Sequence, residues 1–160
     1  MTATSIALRE LEDDELAEYV VRLEREYAVE MHRQGGVPLE EALEQSRQST
    51  QELFPGGRPA EGNRLWFALD DAGERVGVLW LAHRQAGTTS AHAWIYDIEV
   101  EPERRGQGWG RRLMQEAERI TREWGLTSLR LNVFGDNEVA RGLYRSQGFR
   151  EQNVIMTKAL

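Results

Sequence analysis

The segment Arg104-Arg105-Gly106-Gln107-Gly108-Trp109-Gly110-Arg111-Arg112 sets alternate glycines among four arginines. Those residue types suit phosphate or pyrophosphate. Glycine keeps Cβ atoms away from a ligand that approaches the backbone, and a helix starting here leaves its first N–H groups without acceptors. The positive end of the helix dipole and the guanidinium groups add charge at the same place. Two nucleotide-binding loops are excluded by spacing. A Walker loop needs Gly-Lys-Ser/Thr, but Gly110 is followed by Arg111-Arg112, and the third glycine of a dinucleotide fingerprint would fall on Arg111 or Leu113.

The flanking elements fit a strand–loop–helix unit. Trp94 to Val100 has strand character, and Glu101-Pro102-Glu103 ends it. Leu113, Met114, Ala117, Ile120, Thr121 and Trp124 share one helical face, and Gly125 follows as the C′ residue. Ser128 to Val133 reads as another strand. After a Gly135-Asp136 turn comes Asn-x-x-Ala-x-x-Leu-Tyr-x-x-x-Gly-Phe, carried by Asn137, Ala140, Leu143, Tyr144, Gly148 and Phe149. This motif, together with Arg105-x-x-Gly108-x-Gly110 before it, resembles the GNAT superfamily of N-acetyltransferases. The resemblance is strong over Ile95 to Phe149 and architectural elsewhere.

The resemblance implies acetyl-CoA as cosubstrate and no metal. The pyrophosphate is expected over Arg105, Gly106, Gln107, Gly108, Trp109, Gly110 and Arg111, and the pantetheine arm beside the backbone of Ile98, Glu99 and Val100. Asn137 and Ala140 complete the expected cofactor positions. Tyr144 takes the family's place for the acid that protonates the departing thiolate. The implied reaction is direct attack by a primary amine in a ternary complex, with a small-molecule acceptor favoured. A peptide or protein acetyltransferase, acting on an N-terminus or a lysine, and a noncatalytic acyl-CoA-binding module are the alternatives.

The base stays open at this level. Strict alternation puts Asp97 and Glu99 on one face of their strand, and Trp94, Tyr96, Ile98 and Val100 on the other. Relatives often carry a carboxylate where this chain has Tyr96, so the chain departs from them. Tyr96, Asp97 and Glu30 are the substrate-side candidates, with His32 or a water chain as other routes for the proton. Trp66, Trp80 and Trp94 are expected to line an acceptor cleft. His92 lies six residues from Ile98, about 20 Å along an extended strand, which is too far for direct participation.

Composition narrows the function classes. The chain has 160 residues, no cysteine and a net charge of −7. It therefore has no disulfide, thiolate metal site or acyl-cysteine route, and its charge disfavours nucleic-acid binding. Neither a signal segment nor an apolar run of about 20 residues is present, so a cytoplasmic protein with no membrane partner, a monomer or homodimer, is expected. Residues 1–70 hold 7 basic and 15 acidic side chains, a balance of −8, against +1 for the remainder. That asymmetry suits a cationic acceptor.

The rest of the sequence supplies the scaffold. A strand over Ser5–Arg9 is followed by a helix capped by Asp13 or Asp14 and ended by Gly35-Gly36. Its apolar face carries Leu16, Val20, Leu23, Tyr27 and Met31. A second helix runs from Pro38 to Leu53. Strands over 65–69 and 76–82 are joined by Asp70-Asp71-Ala72-Gly73, and a hairpin through Arg84 to Ser90 leads to the strand before the glycine loop. After Phe149, either Gln152 to Lys158 forms one closing strand or a final hairpin is abbreviated. The expected order is β-α-α-β-β-β-α-β-α-β, a single α/β (α+β) domain over 1–160 with a mixed, mostly antiparallel central sheet flanked by helices.

Gly108→Glu places a bulky anion where pyrophosphate is expected. Isothermal calorimetry should show CoA binding weakened by roughly tenfold or more, about 1.4 kcal/mol, with secondary structure retained by circular dichroism. Unchanged affinity would remove the loop from the cofactor site.

Overall fold

The computed structural model describes residues 5–83, 92–156, 158 and 160. Its elements are β1 (Ala7–Glu10), α1 (Asp13–Gly35), α2 (Leu39–Leu53), β2 (Asn63–Leu69), β3 (Arg75–His83), β4 (His92–Val100), α3 (Trp109–Glu123), β5 (Ser128–Leu131) and α4 (Glu138–Ser146). The sheet runs β1-β2-β3-β4-β5. Its first four strands are antiparallel neighbours, and β5 joins β4 in parallel through the α3 crossover. This is the expected mixed sheet. The hairpin expected through Arg84 to Ser90 lies outside the described residues.

Each face of the sheet carries its own core. Val76, Leu79, Leu81 and Ile95 are buried with Trp109, Leu113, Met114, Ala117 and Ile120 of α3. On the opposite face Leu65, Phe67, Val78 and Trp80 meet Leu16 and Tyr19 of α1 and Phe54 beyond α2. Helix α2 joins α1 through small side chains. Ala42, Ser46 and Thr50 are its buried residues, and Ser46 Oγ donates to the Glu24 carbonyl at 2.7 Å. Such a stripe allows close helix approach, whereas Leu39 stays exposed.

Local expectations change in three places. Helix α1 is capped by Glu12 instead of Asp13 or Asp14, and the Glu15 carboxylate accepts the Glu12 N–H at 2.9 Å. Among the apolar residues expected inside on α1, Tyr27 is exposed. Among the described residues the closing strand over Gln152 to Lys158 is not formed. Residues 151–156 form no strand, and Val154, Ile155 and Met156 are exposed. Glu151 pairs with Arg141 of α4 at 2.8 Å and with Arg145 at 2.6 Å.

Gly77 marks the tightest approach in the sheet. A Cβ built there would lie 2.1 Å from the Glu99 carbonyl oxygen and 3.2 Å from Leu113 Cδ1, so two backbones and a core side chain exclude any larger residue. Gly142, inside α4, faces nothing within 4 Å. Gly77→Ala should destabilise the protein by about 1–3 kcal/mol through overpacking, a fall of several degrees in Tm. Gly142→Ala should raise stability by up to about 1 kcal/mol through helix propensity. Parallel thermal unfolding of both variants checks this opposition.

Candidate active site

The β4–β5 pairing begins at His92↔Ser128 and ends at Ile95↔Leu131. Expected strand residues Asn132 and Val133 already lie beyond β5. Beyond that point the two strands part, and the outer edge of β4 over Ile98–Val100 faces no partner strand among the described residues. Backbone groups on such an edge can pair with an extended ligand. The edge leads into the glycine loop and then the first turn of α3.

The loop has the expected form, though not every side chain has the expected role. Gly106 and Gly108 adopt left-handed φ values of 74° and 86°, and a Cβ at either would meet nothing within 4 Å. The first helical bond of α3 runs from Arg112 N to Gly108 O at 3.3 Å, so the N–H groups of Trp109, Gly110 and Arg111 precede the helical ladder. Trp109 buries its side chain in the α3 core and offers a ligand only its backbone. Gly110 is also a packing residue, because a Cβ there would sit 3.1 Å from Leu143 of α4. Arg105 turns back on the strand, with Nε donating to the Val100 carbonyl at 3.1 Å and a guanidinium nitrogen 3.6 Å from Glu99. Gln107 donates to the Glu103 carbonyl at 3.0 Å. Arg111 is exposed at the helix start.

Strict alternation fails in β4. Opposite β3 the register runs Leu79↔Ile98 and Trp80↔Asp97, then jumps to Leu81↔Ile95, so Tyr96 is an inserted residue. This β-bulge puts consecutive side chains on one face. Tyr96 stacks on Trp80 with ring centroids 4.7 Å apart, and Asp97 meets Tyr19 on that same α1 face. Ile98 and Val100 pack on the α3 side with Ile95. The expected grouping of Trp94, Tyr96, Ile98 and Val100 is thus split at the bulge.

Asp97 is the chemically distinctive carboxylate. The Tyr19 hydroxyl donates to its Oδ2 at 2.6 Å. Burial pushes its carboxyl up to about 6, the Tyr19 hydrogen bond opposes that rise, and the neighbouring Glu99 charge reinforces it. The residue keeps partial exposure. Glu99 is paired with Arg22 of α1 at 2.8 Å. On the α3 side of the sheet Tyr144 packs against Phe149, and its phenol is raised first by burial and then by the negative charge of Asp97. Asn137 caps α4 by accepting the Ala140 N–H at 3.1 Å, which uses the side-chain carbonyl and leaves the amide nitrogen as a donor.

Other candidates fall outside this cluster. Glu30 is held by Arg33, which keeps its carboxyl below the usual range, and Arg33 reaches Asp136 at 2.9 Å ahead of α4. His32 is engaged by the Val37 carbonyl at 2.7 Å. Trp80 is buried with Nε1 donating to Asn63 Oδ1 at 2.9 Å, and Trp66 packs on the α3 face, so neither lines an acceptor cleft. Much of the acidic N-terminal part is locally paired, as in Arg9–Glu15, Arg22–Glu26, Arg47–Glu44 and Arg64–Glu10. Among the described residues no group of three His, Cys, Asp or Glu could hold a metal, and no helix is long and apolar enough to cross a membrane. Sequence reasoning missed Tyr19 and Arg22. The available signal was a tyrosine three residues after Leu16, on the face that α1 buries.

Known proteins share this fold. Residues 8–149 match the model of the acetyltransferase (GNAT) family. YycN, an uncharacterized N-acetyltransferase of Bacillus subtilis (strain 168), is 30% identical over 156 residues, which is 98% of this chain and 99% of that protein. The crystal structure of YycN superposes with a TM-score of 0.88 at 29% identity, covering 98% of this chain and 99% of that one. YdgE of the same organism, also an uncharacterized N-acetyltransferase, is 34% identical over 120 residues, 75% of this chain and 76% of its own. The fold extends to AAC(6')-Iy in complex with the bisubstrate analogue CoA-S-monomethyl-acetylneamine, with a TM-score of 0.58 at 18% identity over 97% of this chain and 98% of that one.

The raised Asp97 carboxyl has a consequence for stability. Between its ordinary 3.8 and about 6, the folded protein holds a proton that the unfolded chain has released. Its stabilising contribution is complete below about pH 4 and is lost as pH rises through about 6. Asp97→Asn keeps an acceptor for Tyr19 without the buried charge. The variant should exceed wild type in stability by on the order of 1–3 kcal/mol at pH 8, with the difference vanishing towards pH 4. Denaturant unfolding at the two pH values measures it.

Proposed function

We propose, from the premise that the chain belongs to the acetyltransferase (GNAT) family and is an N-acetyltransferase using acetyl-CoA, that it acetylates a primary amine on a small cationic molecule. The observation that carries this reading is the Asp97 carboxyl, held by the Tyr19 hydroxyl at 2.6 Å and raised by burial, just past the point where β4 and β5 part. That group suits proton removal from an ammonium, and the Tyr144 phenol suits proton delivery to a thiolate. AAC(6')-Iy, which shares the fold, is in complex with the bisubstrate analogue CoA-S-monomethyl-acetylneamine.

In this reading the N–H groups at the start of α3 and the open backbone around Gly106 and Gly108 bind the pyrophosphate. The Ile98–Val100 edge pairs with the pantetheine arm, and the Asn137 amide nitrogen adds a donor to it. That pairing fixes the thioester at the mouth of the gap. Asp97 takes one proton from the acceptor ammonium and later passes it to water. As the C–N bond forms and the C–S bond breaks, Tyr144 gives its phenolic proton to the sulfur and recovers one from the acylated nitrogen. Trp94 and Tyr96 flank Asp97 and supply apolar surface beside the amine, with ring centroids 6.5 Å apart.

Thiol release from acetyl-CoA with a panel of amines, amino sugars, peptides and acidic controls tests the acceptor class. Turnover is expected with small cationic amines, and turnover confined to peptides would replace this reading with protein acetylation. Tyr144→Phe keeps the packing and removes the proton. Its turnover should fall by roughly 10²-fold, with CoA affinity little changed.

A further inference from the structure

We infer that Tyr19 is a positioning residue of the reaction, holding the Asp97 carboxylate in place beside the point where β4 and β5 part. The inference rests on the reading of Asp97 as proton acceptor and deepens it. Tyr19 lies on α1, 78 positions before Asp97, and its ring is buried among the aromatic residues of the α1 face. Trp80 meets it edge-on at 6.5 Å, and the Arg22 guanidinium lies 5.3 Å above its ring. A phenol locked in this way has little freedom to turn from its acceptor. Its hydroxyl donates to Oδ2 at 2.6 Å, which restrains the carboxylate plane and leaves Oδ1 as the oxygen for the incoming proton.

The electrostatic logic agrees with the geometry. A carboxylate in this setting is drawn towards its neutral form by burial, and a hydrogen bond to the charged form counters that. Burial, the Glu99 charge and, more weakly, Glu26 favour protonation of Asp97, while the Tyr19 hydroxyl and Arg22 favour ionisation. The Tyr144 phenol faces the same charge from α4. Burial and Asp97 keep the Tyr19 phenol far above its usual range, so Tyr19 donates without surrendering its proton. It is therefore unsuited to be the base itself.

Tyr19→Phe retains the ring and removes only this donor. The test titrates Asp97 by carbon-13 NMR of aspartate-labelled protein, with Asp97→Asn assigning the resonance, and follows kcat against pH with the preferred amine. The Asp97 midpoint is expected to rise by about one pH unit in Tyr19→Phe, the yield of losing one hydrogen bond to a charged group. The acidic limb of kcat should rise with it, and kcat at its plateau should drop by roughly tenfold while KM for acetyl-CoA stays constant. An unmoved midpoint and limb in Tyr19→Phe, with the limb abolished in Asp97→Asn, would overturn the role of Tyr19 and leave Asp97 as the base. A limb and turnover retained in Asp97→Asn would overturn the Asp97 reading and this inference together.

Discussion

One inserted residue in β4 sets the geometry on which the site depends. Because Tyr96 has no counterpart on β3, side chains change phase between Ile95 and Asp97. Were the same residues to alternate strictly, Asp97 would share the face of Ile95 and enter the α3 core, where an ionised carboxylate is costly. With the insertion, Asp97 and Glu99 turn towards Tyr19 and Arg22, and the apolar Ile98 and Val100 stay on the α3 side. The bulge falls at the point where pairing with β5 stops. Strand separation and carboxylate orientation therefore share a structural origin, since an increased local twist carries β4 away from a flat, continuous ladder.

The surroundings explain how so irregular a strand is held. Trp80 on β3 fills the space opposite the bulge, and Tyr96 and Phe54 pack on it at 4.7 and 4.9 Å. On the other face, the missing side chain of Gly77 lets the Glu99 carbonyl come close to β3 just beyond the bulge. Bulk on one face and its absence on the other fix the strand around Asp97. The energetic cost is concentrated in one carboxyl, and stability is exchanged there for a group that titrates near neutrality.

Much of this was legible in the sequence where chemistry is local. The glycine loop, α3 and α4 could be placed because glycines, a capping Asn137 and apolar spacing act over a few residues. The alternation of β4 was misread because a bulge is a relation between two strands, visible only when Trp80 is set against both Tyr96 and Asp97. Tyr19 escaped for the same reason, since its partner lies 78 residues away. After Phe149 the sequence left open a closing strand over Gln152 to Lys158 or an abbreviated hairpin, and the ion pairs of Glu151 with Arg141 and Arg145 depend on the folded position of α4. Trp109 and Gly110 belong to a ligand-loop pattern by sequence and to the α3 and α4 packing by structure.

Helix α1 also has a metric consequence. Tyr19 meets β4, the Glu24 carbonyl receives Ser46 of α2, and Arg33 reaches Asp136 between β5 and α4. From Tyr19 to Arg33 the helix measures about 21 Å, and each residue turns it by about 100°. Its contacts are therefore locked in phase as well as in length. Removing or adding a single residue between them would swing one end out of register with the other, whatever its side chain. Substitutions on the outer surface of α1 leave that phase intact, and variation in chain length belongs to the turn at Gly36 and Val37. The helix is thus a calibrated spacer between the two arms of the cleft, tolerant in composition and intolerant in length.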